Sequence, residues 1–260
     1  MFKCKKQILF DSYEDDVVKS ADQSATISDG YVWINNKPLY RSWSYVLYKA
    51  ASLFSIIYCC MILKVKFENH AAASLGVDKG CFIYGNHTQP VGDVFSPIRV
   101  LPFLGKKRLH VLASPANLGI PVLGRLLPAM GALPLPNSIG GMKRLKAAIE
   151  TRINQGRAVV IYPEAHVWPY YTDIRPFAKG SFKFPVESGA PAFCMTTTYQ
   201  QIKGRAKPQI TIYIDGPFYA DERLSRKMQS ERLAEEIRSC MTERSKNSTC
   251  QYIEYVRRSG

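Results

Sequence analysis

The sequence contains few acidic residues for its number of basic ones. It has 21 aspartates and glutamates against 35 lysines and arginines, so its formal net charge is +14. A surface with this excess attracts polyanions, which include nucleic acids, anionic lipids and acidic proteins. The chain has no recognisable helix-turn-helix, RNP, KH or zinc module, and we therefore expect no nucleic-acid partner.

Paired cysteines and an apolar leader are also missing. The seven cysteines have no regular spacing, and Cys59 and Cys60 are adjacent, which is typical of reduced thiols rather than of a disulfide framework. Asp11, Glu14 and Asp15 follow the basic N-terminus, where a signal peptide requires an apolar core. We expect no secretion signal and a chain that faces the cytosol. A Gly-x-Ser-x-Gly elbow is missing too, which argues against a serine nucleophile of the α/β-hydrolase type.

One long apolar segment is present, from Trp43 to Leu63. Its length of about 20 residues is that of a membrane span, but Lys49 lies within it and tyrosines are frequent in its first half. Amphipathic aromatic rings prefer the level of the lipid headgroups, so the pattern favours a helix that lies in or dips into one leaflet. A buried core helix is the alternative. Basic clusters such as Lys106-Lys107-Arg108 would face anionic headgroups.

Strand-like and helix-like segments alternate after this point, and no internal repeat interrupts them. Apolar runs predict buried strands at 81–84 and 158–162, and helical periodicity predicts helices at 140–154 and 222–243. This alternation predicts an α/β fold, with a mainly parallel mixed sheet flanked by helices and an N-terminal membrane-interfacial helical segment. We expect an N-terminal arm with the apolar helix at residues 1–63, including a short strand at 31–34, and an α/β domain at residues 64–260.

Two polar motifs follow predicted buried strands. The first begins with Asn86-His87 and reaches Asp93, and the second reads Tyr162-Pro163-Glu164-Ala165-His166. Strand ends are where α/β folds place their chemistry. Histidine can act as a general base near neutral pH, and a carboxylate six positions on can orient its ring and stabilise its charge. The first motif therefore predicts a catalytic pair, His87 and Asp93.

The order of four blocks resembles the glycerolipid acyltransferase family, which includes the lysophosphatidic acid acyltransferases. The blocks are Asn86-His87 to Asp93, a middle rich in lysine, proline and glycine, Tyr162-Pro163-Glu164, and the segments 177–182 and 187–191. The family shows an NHxxxxD block, a middle block ending in glycine and arginine, an FPEGTR block and a final block of VxxGxP character. The resemblance covers roughly residues 64–200, and the order of the blocks is more specific than any one of them.

The resemblance implies an acyltransferase of phospholipid biosynthesis. It would move a fatty acyl group from acyl-CoA or acyl-carrier protein to the hydroxyl of a glycerolipid such as 1-acylglycerol-3-phosphate, with His87 as general base and Asp93 as its orienting partner. The thioester is a co-substrate, and no cofactor is implied. The expected partners are a membrane surface with anionic lipids, the acyl donor and a lysophospholipid acceptor, at the cytoplasmic face of the cell membrane as a peripheral or monotopic protein. The candidate substrate-binding residues are Glu164, Asn86, Arg175, Lys179 and His166.

The chain departs from the family pattern in its spacing and in its arginines. Five residues rather than four separate His87 from Asp93, and Ala165 and Val167 replace the glycine and arginine of the third block. The arginine of the middle block is missing as well. The family's arginines are associated with the acceptor's phosphate, and Arg175, Lys143, Arg144 or Lys179 could substitute for them. Two alternatives stay open: an acyltransferase with a non-phosphorylated acceptor, and a non-catalytic lipid-binding or scaffold member of the fold.

A metal site is a further alternative at the same motifs. His87, Asp93, Glu164 and His166 could be drawn as a set of two histidines and two carboxylates. No metal-ligand spacing supports that set independently. We therefore expect no metal.

Overall fold

The structure, a computed structural model, describes residues 6–18, 25–71, 79–178 and 180–258. Helices and strands alternate along most of the chain. The helices are α1 (Pro38–Ile56), continued by a π-helical segment (Ile57–Ile62), α2 (Gly92–Val100), α3 (Leu123–Met130), α4 (Ile139–Asn154), α5 (Lys183–Ser188) and α6 (Arg226–Ser245), with 3-10 turns at Leu101–Leu104 and Pro115–Gly119. The strands are β1 (Lys6–Phe10), β2 (Lys66–Asn69), β3 (Cys81–Gly85), β4 (Leu109–Ala113), β5 (Ala132–Pro134), β6 (Ala158–Ile161), β7 (Ala192–Gln200), β8 (Gln209–Phe218) and β9 (Ile253–Arg257).

Seven strands form the central sheet in the order β2-β8-β7-β3-β6-β4-β5. All neighbouring pairs are parallel except β7 and β8, which are antiparallel. Every residue of β3 and β6 is buried, because both faces of a parallel sheet are covered by other elements. Leu145 of α4 and Leu233 of α6 belong to one apolar core, and Val100 of α2 to the other. The predicted α/β fold with a mainly parallel mixed sheet is confirmed.

The apolar segment forms one continuous helix whose apolar side chains remain largely exposed. The stretch Pro38–Ile62 has 25 residues and is long and apolar enough to cross a membrane, yet only 17% of its most apolar window is buried. One side of α1 packs against α2 and α3. The large side chains that stay exposed include Leu39, Trp43, Val46, Leu53, Met61 and Ile62. A core helix would be mostly buried, so that alternative is not supported.

The two ends of the described chain pair with each other. β1 and β9 form a separate parallel two-stranded sheet in which Lys6 is opposite Ile253 and Phe10 is opposite Arg257. The sequence did not predict this pairing, and the predicted strand at 31–34 is not formed. Instead, the Trp33 Nε1–H donates a hydrogen bond of 3.0 Å to the Pro134 carbonyl of β5. The division of the chain at residues 63 and 64 stays a prediction.

A buried histidine lies in β4, away from the predicted site. His110 is 3% exposed, and its Nε2 lies 3.3 Å from Nη1 of Arg157. An arginine nitrogen can only donate, so Nε2 accepts and the imidazole is neutral. Burial, and then the charges of Arg152, Arg157 and Arg108, hold the pKa of His110 well below its usual 6.5.

This lowered pKa predicts a loss of stability in acid. Below about pH 6.5 the unfolded chain binds a proton at His110 that the folded chain excludes, so the free energy of unfolding should fall by about 1.4 kcal/mol per pH unit from this group. Urea unfolding at several pH values below about 6.5 would show a smaller slope of the unfolding free energy against pH for His110→Gln than for the wild type. His70→Gln is the control, because the His70 side chain is 42% exposed. Equal slopes for the wild type and His110→Gln would contradict the prediction.

Candidate active site

His87 and Asp93 meet at the end of β3. Residues 90 and 91 form a turn, α2 begins at Gly92, and Asp93 lies in its first helical turn. The Asp93 N–H donates to the Gln89 carbonyl at 2.9 Å, and the Gln89 N–H donates to Asp93 Oδ2 at 2.9 Å. This reciprocal pair closes the loop and absorbs the additional residue between His87 and Asp93. His87 Nδ1 then lies 2.8 Å from Asp93 Oδ2.

The contact with Asp93 determines which ring nitrogen of His87 is available for chemistry. A carboxylate accepts hydrogen bonds, so Nδ1 carries the proton and Nε2 is the basic nitrogen. The His87 side chain is 23% exposed, whereas that of Asp93 is 3% exposed. A partly open imidazole on a buried carboxylate can take a proton from a hydroxyl group at Nε2.

Tyr162, which the sequence analysis did not identify as a site residue, fixes the plane of the His87 ring. The two rings stack with centroids 4.5 Å apart and an interplanar angle of 21°, and the Tyr162 hydroxyl donates to the Asp93 carbonyl at 2.6 Å. Gly85 leaves room for this ring, since a Cβ at position 85 would lie 2.7 Å from Tyr162 Cε1. The signal in the sequence is an aromatic residue directly after a buried strand and before Pro163-Glu164.

Glu164 connects the second motif to the backbone of the first. Its side chain is 0% exposed. Oε2 accepts from the His87 N–H at 3.1 Å and from Arg175 Nη2 at 3.0 Å, while Oε1 accepts from the Arg175 N–H at 2.9 Å. Burial raises the pKa of Glu164, and the Arg175 guanidinium and the two N–H groups oppose that shift.

Arg175 is held entirely by protein groups. It is 1% exposed, its Cζ lies 4.7 Å from the Trp168 ring centroid, and Nη2 also donates to the His166 carbonyl. Nη1 donates to the Tyr13 carbonyl at 3.4 Å. Glu164 and Arg175 thus form a buried ion pair whose described contacts are with protein groups. Their contact with an acceptor stays a prediction.

Comparison with known proteins identifies the family. A family model described as Acyltransferase matches residues 63–198, more than half of the 260 residues. The chain belongs to the acyltransferase family. Among solved structures, this acyltransferase is similar to the 1-acyl-sn-glycerophosphate (LPA) acyltransferase PlsC from Thermotoga maritima, with a TM-score of 0.52 and 16% identity over 84% of this chain and 86% of that chain. At this identity the likeness shows the fold. A search of curated proteins found no match.

Asn86 and His166, two further predicted substrate-binding residues of the acyltransferase, contact other protein groups. Asn86 is 1% exposed, and its amide pairs with the Thr197 N–H at 2.8 Å and carbonyl at 3.0 Å, which ties the end of β3 to β7. The His166 side chain is 36% exposed, and its Nδ1 lies 3.7 Å from Asp16 Oδ1. Lys179 lies outside the described residues. The structure thus brings together His87, Asp93, Glu164 and Arg175.

Ala165 occupies a backbone conformation that suits glycine. Its φ is 63°, in the left-handed region, which costs a residue with a Cβ roughly 1–2 kcal/mol. The family block has glycine at this position. The turn at Ala165 therefore lacks glycine, the residue type that adopts this backbone conformation without strain.

Among the described residues, His87, Asp93, Glu164 and His166 do not form a group of potential metal ligands. Glu164 is occupied by Arg175, and the His166 ring faces Asp16. In the described parts of the chain, one group of three potential ligands is found, Cys194, Asp215 and Cys240. It belongs to β7, β8 and α6, and Arg244 Nη2 already binds Asp215 Oδ1 at 2.6 Å.

The buried pair of Glu164 and Arg175 predicts a large loss of stability when one partner is removed. Arg175→Met would leave the Glu164 charge buried without its counter-charge, and we expect the free energy of unfolding to fall by about 3–5 kcal/mol. Denaturant unfolding measures this change. Arg223→Met is the matched control, because the Arg223 side chain is 86% exposed in its pair with Asp221. A similarly small effect of both substitutions on the free energy of unfolding would contradict the predicted contribution of the buried pair.

Proposed function

We propose that this acyltransferase moves a fatty acyl group from an acyl thioester to the hydroxyl of a glycerolipid, with 1-acylglycerol-3-phosphate as the leading acceptor. The observation that carries the proposal is the 2.8 Å contact between His87 Nδ1 and Asp93 Oδ2. The family supports acyl transfer, and the similar PlsC structure has a name that specifies a 1-acyl-sn-glycerophosphate. The donor is acyl-CoA or acyl-carrier protein.

The geometry suggests a direct transfer without an acyl-enzyme. His87 Nε2 removes the proton from the acceptor hydroxyl as its oxygen attacks the thioester carbonyl carbon. Asp93 holds the Nδ1–H and stabilises the imidazolium that forms. The tetrahedral adduct then breaks its carbon–sulfur bond, and the imidazolium returns the proton to the departing thiolate. Products are an ester and a free thiol, and His87 is neutral again.

The acceptor's phosphate is the least supported part of the proposal. Arg175, one of the residues that could substitute for the missing family arginines, is 1% exposed and bound to Glu164. Val167 stands where the family block has arginine. These two observations favour a second candidate, an acyltransferase whose acceptor hydroxyl belongs to a lipid without a phosphate.

An exposed apolar helix beside the candidate site supports a lipid substrate. The apolar helix α1 and its π-helical continuation contact α2, the helix that contains Asp93. The ring centroids of Phe54 and Tyr58 lie 4.9 and 5.7 Å from that of Phe95 in α2. Phe95 lies two residues after Asp93. A helix lying in the cytoplasmic leaflet would bring lipid acceptors to the side of the site. We propose a peripheral or monotopic protein at that face.

The mechanism predicts a loss of turnover without a loss of fold. His87→Ala should lower the rate of thioester-dependent acylation by on the order of 10²–10⁴, because it removes the base. Asp93→Asn should also slow the reaction, because it removes the charge that stabilises the imidazolium. The assay follows thiol release from acyl-CoA and acyl-carrier protein with lysophosphatidic acid and monoacylglycerol as acceptors, and His70→Ala serves as control.

Two outcomes of this assay would count against the proposal. Turnover of His87→Ala at the wild-type rate would exclude the histidine mechanism. A folded wild-type protein that acylates none of the acceptors would favour the scaffold alternative. Preference for monoacylglycerol over lysophosphatidic acid would select the acceptor without a phosphate.

The exposed face of α1 predicts the strength of membrane binding. Replacing Trp43, Val46 and Leu53 by serine should weaken flotation with phosphatidylcholine vesicles at least tenfold, since each large apolar side chain contributes about 1.5–3 kcal/mol when fully buried. The control replaces Tyr219 and Met228 by serine, two side chains that are exposed outside α1, 53% and 52%. Flotation equal to wild type in the α1 variant would contradict the proposed placement.

A further inference from the structure

A cluster of arginines lies at the edge of the sheet opposite the active site. Arg108 directly precedes β4, Arg157 directly precedes β6, and Arg152 lies in the last turn of α4. His87 and Glu164, by contrast, follow the carboxyl ends of β3 and β6. The four residues of β6 separate the two edges by about 13 Å. The cluster is therefore distinct from the catalytic site.

The cluster has no acidic partner among the described residues. Arg108 Nη2 donates to the Ser44 hydroxyl and to the Ala129 carbonyl at 2.6 and 3.1 Å. Arg152 Nη1 donates to Gln155 Oε1 at 3.0 Å, and Arg157 Nη1 contacts the His110 ring. All of these partners are neutral. None of the ion pairs in the described ranges involves Arg108, Arg152 or Arg157.

Each arginine is partly buried beside the others. Burial and then Arg157 and Arg108 lower the pKa of Arg152 to about 10, and burial followed by Arg108 and Arg41 lowers the pKa of Arg157. The Nε atoms of Arg108 and Arg152 are buried and have no hydrogen-bond partner in the described structure. Half-buried positive charges that lie close together, with donors that have no hydrogen-bond partner, destabilise a fold unless an anion neutralises them.

We infer that Arg108, Arg152 and Arg157, with Arg41 at the rim, form a second anion site that binds a phosphate group. Guanidinium groups complement phosphate oxygens in charge and in bidentate geometry, and a phosphate would supply the negative charge that no described partner of these arginines provides. The phosphate belongs either to a lipid headgroup or to a soluble phosphate compound. The lipid source has structural support, because the apolar helix α1 supplies Ser44 to the cluster, and its Tyr48 ring lies 4.8 Å from Arg108 Cζ.

The experiment compares wild type with the double substitution Arg152→Gln and Arg157→Gln. In the first arm, thermal unfolding is followed in inorganic phosphate and in chloride at equal pH and ionic strength. We expect phosphate to raise the melting temperature of the wild type by on the order of 2–4 °C. In the second arm, flotation is measured with phosphatidylcholine vesicles with and without phosphatidic acid. The control, Lys203→Gln with Arg226→Gln, removes the same charge from two exposed positions outside the cluster.

The two arms separate the sources of the phosphate. Loss of the phosphate-dependent shift in the double variant, together with loss of the phosphatidic acid effect, supports a lipid headgroup. Loss of the shift alone supports a soluble phosphate compound, and loss of the phosphatidic acid effect alone supports the lipid. Persistence of both responses in the double variant, or an equal fall in the control, would overturn the site. If the double variant does not fold, Arg152→Gln alone is tested in both arms.

Discussion

The buried carboxylate of Glu164 is the constraint on which the geometry of the loop from His87 to Asp93 depends. It accepts the His87 N–H and two donors of Arg175, so it ties the loop after β3 to the loop after β6. A buried charge requires neutralisation and complete hydrogen bonding. Arg175 supplies the counter-charge and two of the three hydrogen bonds to Glu164, and in doing so it turns away from the solvent.

Residues of the N-terminal arm help to bury this ion pair. Arg175 packs on Trp168, which is fully buried, and the Trp168 Nε1–H donates to the Asp15 carbonyl at 2.9 Å. Phe10 at the end of β1 contacts the same indole ring at 4.8 Å, and β1 is held in turn by β9. Residues near both ends of the chain therefore close the side of the loop that would otherwise expose the ion pair.

Local sequence patterns predicted the strands whose residues are all buried. Runs such as 158–161 are buried on both faces, so their composition alone identifies them as strands. β1 and β9 escaped prediction because their pairing joins residues about 250 positions apart and their burial is mixed. The contact between His87 and Asp93 followed from their motif. The inward turn of Arg175 could not be predicted, since it depends on Trp168 and Tyr13 meeting in space. The left-handed turn at Ala165 was likewise hidden by the replacement of glycine.

The apolar helix α1 contacts elements at both ends of the sheet, and these contacts bear on how the helix is oriented in a membrane. Ser44 of α1 touches the arginine cluster, and Phe54, ten residues on, touches the catalytic helix. Ten residues of helix span about 15 Å, close to the length of the central strands, so α1 runs alongside them. If α1 crossed the bilayer, one of these charged ends would be carried toward the hydrocarbon, which is costly for arginine. If α1 lies in the interface, both ends stay at headgroup depth. The arginine cluster therefore favours the interfacial orientation over the span.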